Sequence, residues 1–367
     1  MTDHSTRTQR IADLRERMLT DGIELTAIAP TDNLRYLLGF APHPDERACL
    51  LLVGPERETM VMPSLNAEQS AAAVPELELI RWEDEAGPGA ALTAALHATG
   101  SAAAKTIAID PEMRGDHLLL LQGALPGAHT VDASTVLGPL RAVKDGAEIA
   151  LLQRASDSAD AAMEAAFAAL NPGLSELQIA DLIGRAFAEH ESTVEFAIVA
   201  GGPHGAYPHH HAGSRELCAG EPVLLDIGGR RAGYCSDMTR MAFIGEPSPR
   251  YLEIHAIVER AVQAALAAAR PGATCGAVDA AARTVIADAG YGDYFVHRTG
   301  HGLGISTHES PWIMAGNETV LEVGHVHSIE PGIYLPGEFG VRLEEIVHIT
   351  PTGCERFSSL PREVRVI

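Results

Sequence analysis

Between Val223 and Arg240 the chain reads VLLDIGGRRAGYCSDMTR, and this stretch restricts the fold more than any other. Val223, Leu224 and Leu225 lead into Asp226; Ile227, Gly228, Gly229 and a polar corner follow, then Tyr234, Cys235, Ser236 and Asp237. The pattern predicts a hairpin: a buried strand, a glycine-assisted turn and a returning strand. Such a pair brings Asp226 and Asp237 close together, and two carboxylates in one place repel unless a cation lies between them. A turn-capping aspartate and a surface aspartate would explain the hairpin on its own. The acids and histidines further along the chain argue for the cation.

At 367 residues the chain exceeds one ordinary core, so two domains are expected. Forty-nine acids against 27 bases leave a net charge of −22, which argues against nucleic acid and anionic membrane as partners. The opening MTDHSTRTQR is polar and no apolar run approaches bilayer length, so a cytoplasmic protein is expected. Cys49, Cys218, Cys235, Cys275 and Cys354 are scattered, without CxxC spacing, and read as free, mostly buried thiols.

Ile11, Leu14 and Met18 have helical spacing, which predicts an amphipathic helix over residues 5 to 20. Strand-like runs follow at Leu25 to Ala29, Ala48 to Val53, Thr59 to Met62, Leu77 to Trp82 and Thr106 to Ile109. Helical patterns lie around Leu65 to Ala73 and Asp116 to Leu125, so the first part reads as a small α/β domain. It holds no catalytic constellation; Asp45, Glu46 and Arg47 read as loop charges. The texture changes near residue 140, and a long helix from about Ala147 to Leu170 follows, which sets domains of 1–143 and 144–367. In the second, AALNPG at residues 168–173 resembles AAARPG at 267–272, each after one helical pattern and before another. Ser175 and Gln178 have the form of a capping box. Two helix–helix–strand halves could set one antiparallel sheet beneath a helical layer, with a site at the pseudo-twofold centre.

Four polar clusters mark the second part: Pro208 to His211, the Asp226/Asp237 hairpin, His297 to Gly304 with His308 and Glu309, and Val326 to Gly332 with Val341 to Ile346. Glu330 and Glu344 each end or interrupt an apolar run, so neither belongs to a solvated charge face. Carboxylates in that setting need a cation. Arg342 could serve one of them, but not four. Four carboxylates with one or two imidazoles suit a pair of divalent ions. Oxygen-rich ligation favours Mn(II) or Co(II), with Zn(II) and Fe(II) as further options.

DIGG…SDMTR, TGHGLG…HES, SIEPGIY and GVRLEE resemble the metal-binding motifs of the pita-bread metallopeptidases. Within that group the chain is most similar to the proline-specific branch, prolidase and aminopeptidase P. The likeness is strong over about residues 147 to 360. The first 140 residues or so resemble, more weakly, the creatinase-type amino-terminal domain of those enzymes. The fold it implies is a creatinase/ribonuclease H-like α/β domain followed by an α+β pita-bread domain with a pseudo-twofold antiparallel sheet.

Position by position, the resemblance implies five metal ligands: Asp226, Asp237, His301, Glu330 and Glu344. Asp237 and Glu344 would bridge two ions, Asp226 would complete one shell, and His301 with Glu330 the other. Glu344 is preferred to Glu345 by the family's Arg-apolar-Glu spacing, and strand alternation lets only one of the two face the site. His209 matches a substrate-binding histidine, with His210 and His211 as loop neighbours. His308 matches a histidine at the scissile region and His297 one lining the pocket. Arg342 matches an arginine that holds the bridging carboxylate or the substrate.

The implied activity is hydrolysis of the bond between an N-terminal residue and a following proline, in a small peptide, by a homodimer. His308 and His209 would stabilise the oxyanion, and Glu330 would move the proton. A methionine aminopeptidase uses the same ligand types but lacks the long amino-terminal domain. A metal-free creatinase-like C–N hydrolase has lost ligands, and a degenerate scaffold protein would have no need of an intact set.

Overall fold

The computed structural model describes residues 4–367, which form two compact units divided between Arg141 and Ala142. In the first unit a mixed six-stranded sheet has the order β4-β3-β2-β1-β5-β6. Its strands are β1 (Leu25–Ile28), β2 (Leu50–Val53), β3 (Glu58–Pro63), β4 (Leu79–Trp82), β5 (Thr106–Ile109) and β6 (His129–Asp132). β1 and β2 are buried along their whole length, which is why they read as unbroken apolar runs rather than alternating ones. The helices are α1 (His4–Thr20), α2 (Asp32–Leu38), α3 (Ser64–Ala73), α4 (Gly89–Ala98), α5 (Gly115–Ala124) and α6 (Ser134–Ala142). Leu92 and Ala95 of α4 and Leu121 of α5 join Leu25, Leu50, Leu52 and Ile107 of the sheet in one core.

The second unit repeats one pattern twice. Helices α7 (Gly146–Ala169) and α8 (Glu176–Glu189) precede β7 (Thr193–Gly201), β8 (Pro222–Arg231), β9 (Tyr234–Cys235) and β10 (Met238–Phe243). Helices α9 (Pro249–Ala268) and α10 (Cys275–Asp288) precede β11 (Gly300–Gly302), β12 (Glu309–Ile313), β13 (Val326–Ile329), β14 (Gly332–Leu335), β15 (Phe339–Arg342), β16 (Glu345–Thr350), β17 (Gly353–Arg356) and β18 (Arg365–Val366). The joints between paired helices match in detail. Gly173 and Gly272 both take a positive φ after proline. Ser175 and Thr274 both cap the next helix, Ser175 in a full capping box. Gly173 N–H donates to the Leu217 carbonyl at 2.9 Å, and Gly272 N–H to that of Leu321 at 2.9 Å.

The sheet expected here is present in two five-stranded sections, β18-β10-β8-β7 with β9 on β8, and β12-β11-β13-β16-β17, antiparallel except where the last strand, β18, runs parallel to β10. A two-stranded ribbon of β14 and β15 accompanies them. At their centre the Glu344 N–H reaches the Thr239 carbonyl at 3.3 Å. Each helix pair covers its own core: Met163, Ile183 and Phe187 pack on Leu225 and Ile227, while Ile254, Val258 and Val278 pack on Ile329, Val341 and Val347.

The central hairpin differs from expectation in one respect. Gly228 and Gly229 lie inside β8, and the turn falls at Ala232 and Gly233, with φ of 50° and 92°. Such a pair of positive φ values matches the twist of the flanking strands. The two strand glycines serve packing: a Cβ on Gly228 would lie 2.2 Å from the Phe196 ring, and one on Gly229 2.5 Å from that of Phe187.

Candidate metal centre

The candidate acids stand on or beside the strands of the second unit. Asp226 lies in β8, and the antiparallel register sets Thr239 opposite it, which brings Asp237 alongside. β11 carries His301, Glu330 follows β13, and Glu344 falls between β15 and β16. One ligand oxygen from each of Asp226, Asp237 and Glu344 lies within 4.8 Å of the others, and His301, Glu330 and Glu344 meet the same limit. Glu344 thus belongs to both groups. Asp237 also meets His301 and His308. All five residues expected from the sequence to be ligands converge.

The electrostatics of this cluster are lopsided. Burial raises Asp226, Asp237 and Glu344 above the ordinary carboxylate range, Asp237 and Glu344 strongly so. Repulsion adds to this at Asp237 from Glu344 and Asp226, and at Glu344 from Glu330 and Asp226. Burial also opposes ionisation of Glu330, but the His301 imidazole 3.3 Å away, with His297 and Arg342, outweighs it and brings that carboxyl down to about 2.

Arg342 is the cation among them, and its donors are already committed. Nη2 donates to Asp226 Oδ2, Nε to Thr239 Oγ1 at 3.1 Å and Nη1 to the Tyr334 hydroxyl at 2.8 Å. Thr239 passes its own proton to Glu344 Oε2 at 2.7 Å. Arg342 therefore holds Asp226 directly and reaches Glu344 through Thr239.

The donor set fits divalent cations. Asp226 Oδ1 is buried and has no hydrogen-bond partner. The ring of His301 is orientated by Nδ1, which donates to the Gly302 carbonyl at 3.1 Å. That leaves an Nε2 lone pair facing Glu330 at 3.3 Å and Asp237 at 3.7 Å. Without metal a proton on Nε2 would face these carboxylates, and a divalent cation bound there would take that proton's place.

His308 is exposed, and its ring stands edge-on to His301 with centroids 4.1 Å apart. Burial against its neighbours, with the charges of His301 and Arg298, lowers it to about 4, so it is neutral at pH 7. His209 is exposed and close enough to His297 and His308 to interact with both electrostatically. His297 turns inward. Its Nδ1 donates to the Arg298 carbonyl at 2.7 Å, so Nε2 accepts the Tyr334 hydroxyl proton at 2.7 Å. With both nitrogens spent, it can offer a pocket only its ring edge. Glu345 faces away from the cluster entirely, toward Arg240, Arg356 and Arg362.

Thr239 and Tyr334 had no assigned part in the sequence, although both lie inside the quoted motifs. Glu176 gave no signal beyond its place in a capped helix start.

A sheet-borne cluster of buried carboxylates with one free imidazole nitrogen is the donor set of a metal-dependent hydrolase. Residues 150–351 match metallopeptidase family M24, and residues 10–143 match the creatinase/prolidase N-terminal domain. The chain belongs to metallopeptidase family M24. It is 42% identical over 352 residues to the probable dipeptidase PepE of Mycobacterium tuberculosis, covering 94% of this chain and 92% of that protein. It is 31% identical over 359 residues to the Xaa-Pro dipeptidase of Lactobacillus delbrueckii subsp. lactis, covering 96% and 98%. The solved prolidase of Thermococcus sibiricus superposes over the whole of both chains, with a TM-score of 0.94 at 33% identity.

Proposed function

We propose that the chain is a dinuclear-metal exopeptidase that cleaves Xaa-Pro dipeptides. The observation that carries this reading is the meeting of Asp226, Asp237, His301, Glu330 and Glu344 around an uncompensated negative charge. Asp237 and Glu344, each shared between two donor groups, would hold both ions; Asp226 would complete one shell, His301 and Glu330 the other. Two divalent ions there would supply Lewis acidity and an acidified water at neutral pH. Oxygen-rich ligation favours Mn(II) or Co(II).

The protein's own groups do the rest. Glu330 would accept the proton of the attacking water and return it to the prolyl nitrogen, which must be protonated to leave. Neutral His308 donates a hydrogen bond to the carbonyl oxygen as it gains charge. His209, within electrostatic reach of His297 and His308, binds the substrate. Arg342 and Thr239 fix the carboxylates and add no reacting group. Proline specificity is supported by the names of the Lactobacillus and Thermococcus relatives. A broader dipeptidase is the second reading, since the mycobacterial relative is named only a probable dipeptidase.

The test is hydrolysis of Ala-Pro, Ala-Ala, Ala-Pro-Ala and Met-Ala-Ser, with and without chelator, alongside bound-metal analysis. The expected result is chelator-sensitive cleavage of Ala-Pro, restored by Mn(II) or Co(II). Equal turnover of Ala-Ala favours the broader dipeptidase, and turnover of Met-Ala-Ser alone favours a methionine aminopeptidase. Activity indifferent to chelator overturns the metal mechanism.

A further inference from the structure

Away from the carboxylate cluster, Glu176, His204 and His210 bring three ligand atoms within 4.8 Å of one another. Their hydrogen bonds decide what the group does. Glu176 Oε1 accepts from Gly201 N–H at 3.0 Å and His204 Nδ1 at 2.8 Å. Oε2 accepts from His210 Nε2 at 2.8 Å and Gly213 N–H at 3.2 Å. A carboxylate has about four lone-pair sites, and here four donors fill them. The imidazole nitrogens that face it are donating protons, so they have no lone pair to give a cation. The cluster is a staple, not a metal site.

What it staples is the loop that carries His209. The carboxylate, wholly buried at the start of α8, grips both ends of the segment from Gly201 to Gly213 and two side chains within it. The rings of His204 and His210 lie tilted against each other with centroids 4.3 Å apart. Among the described residues the His209 ring makes no hydrogen bond, so its position depends on its backbone. That backbone is fixed on both sides: the Pro208 carbonyl accepts from Arg342 Nη1 at 3.4 Å, and the next residue, His210, is bound to Glu176.

We infer that Glu176, through His210 and His204, is a positioning residue that sets His209 against the substrate. The inference rests on the proposed substrate-binding role of His209. A ring displaced by about 1 Å can cost roughly 100-fold in rate even when the chemistry is untouched.

The experiment is a double-mutant cycle on the metal-loaded protein, read as kcat and KM for Ala-Pro, with metal content and thermal unfolding measured on each variant. Glu176→Gln replaces two acceptor positions with an N–H₂ group and should lower kcat/KM by about 10- to 100-fold with both ions retained. In the His209→Ala background the same substitution should cost less than about threefold, because residues acting through one another are not additive. His210→Gln, which keeps an N–H donor at the distance of Nε2, should retain activity within about threefold, whereas His210→Ala should follow Glu176→Gln. The two histidine variants carry the test if Glu176→Gln does not fold. Losses that multiply in the double variant, or a fully active His210→Ala, overturn the staple and leave the peptidase assignment standing. A fully active His209→Ala removes the role of His209 and the purpose of the staple with it.

Discussion

Glu344 and Glu345 are neighbours in the chain, almost equally buried, and held in opposite ways. Glu345 points its Oε1 at Arg240, Arg356 and Arg362, at 3.1, 3.2 and 2.8 Å. Glu344 points into two other buried carboxylates and receives only the Thr239 hydroxyl and the influence of an arginine already bound to Asp226. A buried acid is stable when positive charge and hydrogen-bond donors surround it. The fold supplies them on one side of the backbone and withholds them on the other. The difference separates an acid that holds the protein together from one reserved for a ligand.

The contrast breaks most sharply under paired substitutions. Glu344→Gln should cut kcat/KM by about 1,000-fold, roughly 4 kcal/mol of transition-state stabilisation, with loss of bound metal. The same change removes a repelled charge, so the metal-free variant should unfold at a higher temperature than the metal-free parent. Glu345→Gln should do the reverse, costing about 3 kcal/mol of stability because buried Arg240 loses its counter-charge and Arg362 keeps only Glu259, with kcat and metal content per folded molecule unchanged. Denaturant unfolding and metal analysis on both variants read this directly. Metal loss from Glu345→Gln, or a stable and active Glu344→Gln, would end the distinction.

Changing the pH sharpens the same contrast. Asp237 and Glu344 titrate above the ordinary values of 3.8 and 4.5 in the folded chain, so the metal-free fold binds more protons than the unfolded chain. Stability must then fall as pH climbs from those values toward the raised ones. Glu330, at about 2, works in the opposite sense: its contribution is complete above 4.5 and lost only as pH falls toward 2. His308 and the buried His327, both lowered to about 4, add stability as pH rises toward 6.5, so the raised pair shows as a difference from a variant that lacks one of its charges. As pH rises from 5 to 8 the metal-free parent should lose unfolding temperature relative to metal-free Glu344→Gln, which shares the histidines but lacks the repelled charge. Saturating Mn(II) should flatten or reverse the trend, because the metal replaces the protons. Calorimetry of both proteins with and without chelator decides it, and a deficit of the metal-free parent against Glu344→Gln that does not grow with pH would contradict the mutual repulsion.

These differences were only partly legible beforehand. The four acids and one histidine of the cluster can be named from their motifs, and the alternation argument turns Glu344 and Glu345 to opposite sides, as the structure does. What Glu345 meets could not be read, since Arg240, Arg356 and Arg362 lie on three separate segments. In the first unit the buried strands β1, β2 and β3 announced themselves as apolar runs, while β6, largely exposed, did not. The short helices α2 and α4 were missed for want of a clear period. Gly228 and Gly229 read as a turn because glycine marks both turns and close packing, and only the Phe196 and Phe187 rings tell which. Hydrogen-bond relays are the least legible of all. Nothing about a threonine in SDMTR says that it stands between an arginine and a carboxylate.

That threonine provides the smallest and most discriminating change. Thr239 Oγ1 accepts from Arg342 Nε and donates to Glu344 Oε2, so it carries the arginine's influence to an acid that the guanidinium does not touch. Valine has nearly the same shape and removes both bonds. Arg342 still holds Asp226, so that ligand should stay in place, and only the orientation and charge of Glu344 should suffer. Thr239→Val should therefore lower kcat/KM by about 10-fold, close to 1.4 kcal/mol, and weaken metal binding by a similar factor without emptying the site. Thr239→Ser, which keeps the hydroxyl, should restore most of both. If valine behaves as the parent does, Glu344 needs no support from Arg342, and the carboxylates alone orientate the centre. If serine fails to rescue, the methyl group's packing at this buried position is what matters, and the relay has no catalytic part.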